Sequence, residues 1–179
     1  MYRVQNQLDG SKAIVKTLKS EYPSLADITR LRHEYQILEN LQINTMIQPL
    51  GLETYKKGWA LFLKDTGSIA LSEWIVSHSL SMIKFLEVAI LLVDALSALH
   101  NHQIIHKDIK PQNIIINPLT ETIQLIDFSI ASRLERESPT LSHPDLLEGT
   151  LAYISLEQTG RMNRSVDYRT DFYSLGVTF

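Results

Sequence analysis

Apolar and polar positions alternate with a period of two in the early part of the chain, and the period lengthens later. Residues 2–5 and 12–18 read as short strands, and Leu8-Asp9-Gly10-Ser11 between them carries a hairpin turn signal. Just after Pro23, Ser24-Leu25-Ala26-Asp27 is an acidic variant of a capping box. The helix it opens is expected to run to about Leu41, with Ile28, Leu31, Tyr35, Leu38 and Leu41 along one face. Residues 46–52 and 59–63 predict two more strands, with Gly58 at the turn between them. After Asp65-Thr66-Gly67-Ser68 the character becomes helical, with a short helix near 71–78 and a long one from about 82 to 101. A strand-rich part of about 65 residues followed by a helical part predicts an α+β chain built as two lobes joined near 64–68.

Beyond Ile104-Ile105, the runs Ile114-Ile115-Ile116 and Ile123-Gln124-Leu125-Ile126 predict a hairpin around Asn117-Pro118. Residues 129–150 are polar and read as a long surface loop, a kind that is usually functional or disordered. Helical character returns weakly near 155–159 and clearly at 169–179.

Composition narrows the setting. A chain of 179 residues suffices for one domain or two small lobes with a core. A net charge of -3 advertises no polyanion, so no nucleic-acid partner is expected. The absence of cysteine excludes disulfides and thiolate chemistry. The most apolar stretch, Phe85 to Leu99, is interrupted by Glu87 and Asp94; it predicts a buried helix, no membrane insertion and a cytoplasmic protein.

The candidate chemistry sits on the predicted hairpin. Asn113 precedes its first strand and Asp127 follows its second, so an antiparallel pairing brings an amide oxygen and a carboxylate to one end. Oxygen donors of this kind suit magnesium, which takes few protein ligands plus phosphates and water. Asp108 lies on the loop feeding that end, placed to accept a proton from a hydroxyl. Lys110 stands two residues later, where its charge can neutralise a transferring phosphate. Glu34 falls on the apolar face of the first helix, and a carboxylate there needs a buried partner, for which Lys16 is the candidate.

These residues carry a resemblance. His106-Lys107-Asp108 stands where protein kinases have His-Arg-Asp, and Asp127-Phe128-Ser129 where they have Asp-Phe-Gly. The resemblance implies Asp108 as catalytic base, Asn113 and Asp127 as magnesium ligands, and through Lys110 the Ser/Thr class. Ala13-Ile14-Val15-Lys16 resembles the strand whose lysine holds the α- and β-phosphates of ATP, with Glu34 as its partner. By the same likeness Ile14, Leu63 and Ile115 surround the adenine, and Lys64-Asp65-Thr66 forms the hinge. The stretch from Glu148 to Glu157 resembles the end of an activation segment, with Thr150 facing Asp108 and Lys110, and Glu157 paired with an arginine beyond the chain. Asp171 would tie down the backbone of the catalytic loop, supported by His106 and Phe128. Ser129, in place of glycine, is expected to restrict the backbone there.

Gln158-Thr159-Gly160-Arg161-Met162-Asn163-Arg164, with Asp167-Tyr168-Arg169-Thr170-Asp171, is similar to the Ser/Thr kinase domain that precedes sensor and histidine-kinase modules in large bacterial signalling proteins. That likeness implies ATP-dependent phosphorylation of protein Ser/Thr, with sensor or histidine-kinase modules as partners. It divides the chain into a partial N-lobe, 1–65, and a partial C-lobe, 66–179. The first strand and phosphate-covering loop are then expected before Met1, and Phe179 falls within the central helix, so the 169–179 helix is expected to expose apolar surface and activity to be lowered. A non-catalytic nucleotide-binding or scaffold domain and an inactive gene fragment are the alternatives. His33, His78, His100, His102 and His143 form no metal-ligand pattern, and His100 and His102 read as solvated or capping. Met46, Met82 and Met162 read as packing residues, and Ser132, Ser138, Thr140 and Ser142 are the candidate phosphorylation positions.

Overall fold

The computed structural model describes residues 1–134, 149–160 and 165–179. The sequence-predicted positions Ser138, Thr140, Ser142, His143, Glu148 and 161–164 lie outside the described residues. Strands β1 (Tyr2–Gln5) and β2 (Lys12–Thr17) form the predicted hairpin, with Arg3 opposite Ile14. The cap of α1 (Leu25–Glu39) is the predicted one. The Ser24 hydroxyl accepts from the Asp27 amide at 3.1 Å, and the Asp27 carboxylate accepts from the Ser24 amide at 3.2 Å. The Ser24 hydroxyl also donates to Asp27 Oδ2 at 2.6 Å, and this bond first, then that from the Ser24 amide, holds the Asp27 carboxyl below its ordinary value, so its share of the cap is lost as acid protonates it. Ser24→Ala is expected to cost about 1 kcal/mol, read as a lower urea midpoint at unchanged slope.

The buried face of α1 is Leu31, Glu34, Ile37 and Leu38, whereas Ile28 and Tyr35 are half-buried. The helix stops at Glu39, and Leu41 packs into the core just beyond it. Strands β3 (Pro49–Tyr55) and β4 (Gly58–Lys64) complete a four-stranded antiparallel sheet of order β1-β2-β4-β3. The predicted 46–52 strand began early because Met46 and Ile47 are apolar for another reason: Met46 bridges Leu125 in parallel, and both are fully buried. The hairpin turn falls at Lys56-Lys57, Lys56 taking a φ of 52°, and Gly58 opens the strand. The approach is close there, since a Cβ on Gly58 would lie 3.1 Å from the Pro23 ring, which would have to give by a few tenths of an ångström.

The helical part holds β5 (Ile69–Ala70), α2 (Leu71–Ser77), α3 (Met82–Asn101) and α4 (Arg169–Thr178). Between α3 and α4 come β6 (Ile104–Ile105), β7 (Ile114–Ile116) and β8 (Ile123–Leu125), the last two being the predicted hairpin, with β5 beside β7. The predicted 129–150 loop is corrected at its start, where β9 (Ser132–Arg133) pairs antiparallel with β6. A two-residue strand carries too little periodicity to register in sequence. The weak helical signal near 155–159 is a 3-10 turn at Glu157–Thr159.

One core runs through both parts. Val88, Leu92, Ala95, Leu96 and Leu99 of α3 pack in it with Leu31 and Leu38 of α1 and with Leu61 and Leu63 of β4. Each such large side chain, taken from water, contributes roughly 1.5–3 kcal/mol. The expected apolar exposure on the last helix is present: Phe172, Tyr173, Val177 and Phe179 are each a little under half exposed. Met82, expected to pack, is exposed at the start of α3. No described helix is long and apolar enough to cross a membrane.

Candidate active site

The alternation of β2 sends Ile14 and Lys16 to one face of the sheet, opposite Leu63 and Leu61 of β4, and α1 lies over that face. Lys16 Nζ donates to Glu34 Oε2 at 2.6 Å and to Asp127 Oδ1 at 2.8 Å. Burial alone would lower the Lys16 pKa, but the charges of Glu34 and Asp127 outweigh it and carry it above the ordinary lysine value. Burial also opposes ionisation of Asp127, yet the Lys16 charge and hydrogen bonds from Lys16 and Ser129 hold its carboxyl below the usual range. Glu34, fully buried, is pushed up by burial against the restraint of Lys16.

A 3-10 turn at Pro111–Asn113 leads from the Asp108 loop into β7. Asn113 Nδ2 donates to the Asp108 carbonyl at 2.9 Å and to its Oδ2 at 2.8 Å. Lys110 Nζ donates to the same Oδ2 at 2.6 Å and to the Thr150 hydroxyl at 2.6 Å. That hydroxyl in turn donates to Asp108 Oδ1 at 2.8 Å. The Asp108 carboxylate is thus oriented by neighbours of three kinds, and a hydroxyl of the Ser/Thr type already sits within reach of it. Thr150 is brought there by Gly149, whose φ of +119° L side chains rarely adopt and whose Cβ would lie 3.3 Å from the Lys107 carbonyl.

Asp171 at the start of α4 is fully buried and accepts from the backbone amides of His106 at 2.9 Å and Lys107 at 2.8 Å. His106 Nε2 lies 3.0 Å from the Ile126 carbonyl, and the Asp108 amide donates to its Nδ1 at 3.3 Å. A carbonyl only accepts and an amide only donates, so the ring is the neutral Nε2–H tautomer. Phe128 packs against that ring and is fully buried. Ile14, Leu63 and Ile115 meet in a cavity of about 30 Å³ with Met1, Thr66 and Ser68. That is room for a water, so a purine ring would enter only by displacing the lining. Asp65 is turned toward β1, where Arg3 Nε lies 3.3 Å from its carboxylate.

Glu157 accepts from the Thr170 hydroxyl at 2.9 Å on α4. The positive φ in this stretch belongs to Asp127 (64°), a residue type that tolerates it. His100, read as solvated or capping, donates from Nε2 to Asp171 Oδ2 at 2.8 Å and packs edge-on to Phe172. Its place at the end of α3, shortly before the Asp108 loop, was the available signal; its partner, 71 residues away, was not.

Among the described residues no group of three or more His, Asp or Glu side chains forms a metal cage. Two oxygen donors whose remaining ligands come from phosphate and water suit magnesium better than a closed cage does. The Asn113 amide commits its nitrogen to Asp108, which leaves its oxygen as the available donor, and Asp127 keeps a partly exposed carboxylate.

The chain is similar to known proteins over its whole length. A model described as the protein kinase domain matches residues 1–179. A probable serine/threonine-protein kinase of Clostridium perfringens is 31% identical over 176 residues, covering 91% of this chain and 23% of the relative. The serine/threonine-protein kinase Pkn1 of Myxococcus xanthus is 29% identical, covering 94% of this chain and 24% of itself. PrkC of Bacillus subtilis is 26% identical, with 99% and 27% covered. The chain therefore spans about a quarter of the length of the curated relatives it matches.

Proposed function

From the premise that the chain belongs to the protein kinase family, in the lineage of the Ser/Thr kinases, we propose that it transfers the γ-phosphoryl group of ATP to Ser or Thr hydroxyls of a protein. The observation that carries this reading is the Asp108 carboxylate, held by Lys110 and Asn113 with a threonine hydroxyl 2.8 Å from its free oxygen. In that role Asp108 takes the proton from the substrate hydroxyl as it attacks, and Lys110 balances charge on the transferring group. Lys16, set by Glu34, holds the α- and β-phosphates; Ile14, Leu63 and Ile115 enclose the base, and Asp65 stands at the hinge. Asn113 and Asp127 hold magnesium, which when bound offsets the negative charge of the phosphates. His106, Phe128, Thr150, Glu157 and Asp171 keep this frame in place.

The division into an N-lobe, 1–65, and a C-lobe, 66–179, follows from the same reading, as do a cytoplasmic setting and sensor or histidine-kinase modules as signalling partners. A non-catalytic scaffold domain is the second reading, favoured by the water-sized space between Ile14, Leu63 and Ile115. The test is incubation with γ-labelled ATP and magnesium, followed by phosphoamino-acid analysis. Label on phosphoserine or phosphothreonine is the expected result. Lys16→Met leaves two carboxylates without their ammonium and is expected to raise the KM for MgATP at least tenfold, about 1.4 kcal/mol of lost binding. The absence of any labelled hydroxyl would select the scaffold reading.

A further inference from the structure

α1 meets the chain beyond Asp127 through a residue outside the predicted site. His33 precedes Glu34, and the helical advance of about 100° per residue turns its ring away from the direction of Lys16. Its Nε2 lies 2.6 Å from the carbonyl oxygen of Ala131. Because that oxygen can only accept, Nε2 carries the proton. Ala131 is itself buried, and its amide closes a turn onto the Phe128 carbonyl at 3.2 Å. The next two residues are β9, where Ser132 pairs with Ile105 and Arg133 with Ile104. Ile105 adjoins His106, the first residue of the loop that carries Asp108.

Two neighbouring residues of one helix thus reach two different structures. Glu34 grips Lys16, which also holds Asp127. His33 grips the carbonyl at the entry to β9. A single tether leaves a helix free to roll about its axis, whereas two tethers set about 100° apart fix the roll. We infer that His33 is a positioning residue: through the Ala131 carbonyl it fixes the roll of α1, and with it the Glu34–Lys16 pair, against the strand that abuts the catalytic loop. Its consequence for nucleotide rests on the kinase reading; its consequence for β6 and β9 does not.

Two variants of the full chain decide it. His33→Met keeps bulk and helix propensity but cannot donate, and His33→Gln presents an amide N–H at similar reach. For His33→Met, amide exchange across β6 and β9 is expected to quicken about tenfold. The KM for MgATP is expected to rise roughly three- to tenfold, the worth of one hydrogen bond, with a smaller change in kcat. His33→Gln restores both. Wild-type exchange in His33→Met overturns the inference, as does a His33→Gln variant no better than His33→Met. Should the wild-type chain bind no nucleotide, the kinase reading falls, and exchange at β6 and β9 alone still decides the role of His33.

Discussion

Asp108→Asn is expected to lower phosphoryl transfer by about 10²–10⁴-fold, the usual worth of a positioned general base, while leaving the fold and MgATP affinity near wild type. The hydrogen bonds explain why this variant separates chemistry from structure. An asparagine can place its oxygen where Oδ2 now accepts from Lys110 and Asn113. Its nitrogen then faces Thr150, whose hydroxyl now donates to Oδ1 and can rotate to accept instead. Every neighbour keeps a hydrogen-bond partner, while the negative charge beside Lys110 and the ability to take up a proton are gone. Labelled-phosphate transfer and nucleotide titration on the same preparation check both halves. Transfer at the wild-type rate would remove Asp108 from the chemistry.

The second large effect concerns stability. Asp171→Ala is expected to destabilise the chain by about 3–5 kcal/mol, as when a buried charged partner is removed, against a typical total of roughly 5–15 kcal/mol. Three donors lose their acceptor at once: the amides of His106 and Lys107 and the Nε2 of His100. Lys107 also sits at a φ of 68°, a conformation a lysine keeps only when its surroundings insist on it. Urea unfolding measures the cost, and transfer should vanish with the loop's geometry. A midpoint within error of wild type would show that the loop is held by something other than Asp171.

What the sequence made legible follows the range of the interactions. The Ser24–Asp27 cap spans four residues and was readable without a structure, as was the β7–β8 hairpin, since both arise from contiguous patterns. Lys16 and Glu34 could be paired because a carboxylate on an apolar stripe demands a cation, and the strand and helix offered one of each. Ile37 lies beside Leu38 on the buried face and falls outside the apolar stripe read from the sequence. β9 is too short to show a period, and its partner β6 lies well back in the chain. His33 and His100 each answer to an acceptor far along the chain, and nothing beside them marks it. Histidine is a weak signal because either ring nitrogen can serve as donor or acceptor, so its role is written by whatever surrounds it.

The distances along the chain between bonded partners also bear on how the molecule assembles. Lys16 finds Asp127 across 111 residues, His33 finds Ala131 across 98, and Asp171 reaches His106 across 65. The β1–β2 and β3–β4 hairpins close loops of only a few residues. Loop closure favours the short pairings early, and contacts of high contact order come last. The long-range bonds of the site are therefore expected to form after the folding nucleus. Substitutions there should hasten unfolding more than they slow folding, which would make the lifetime of the folded chain depend on the same few bonds that build the candidate site.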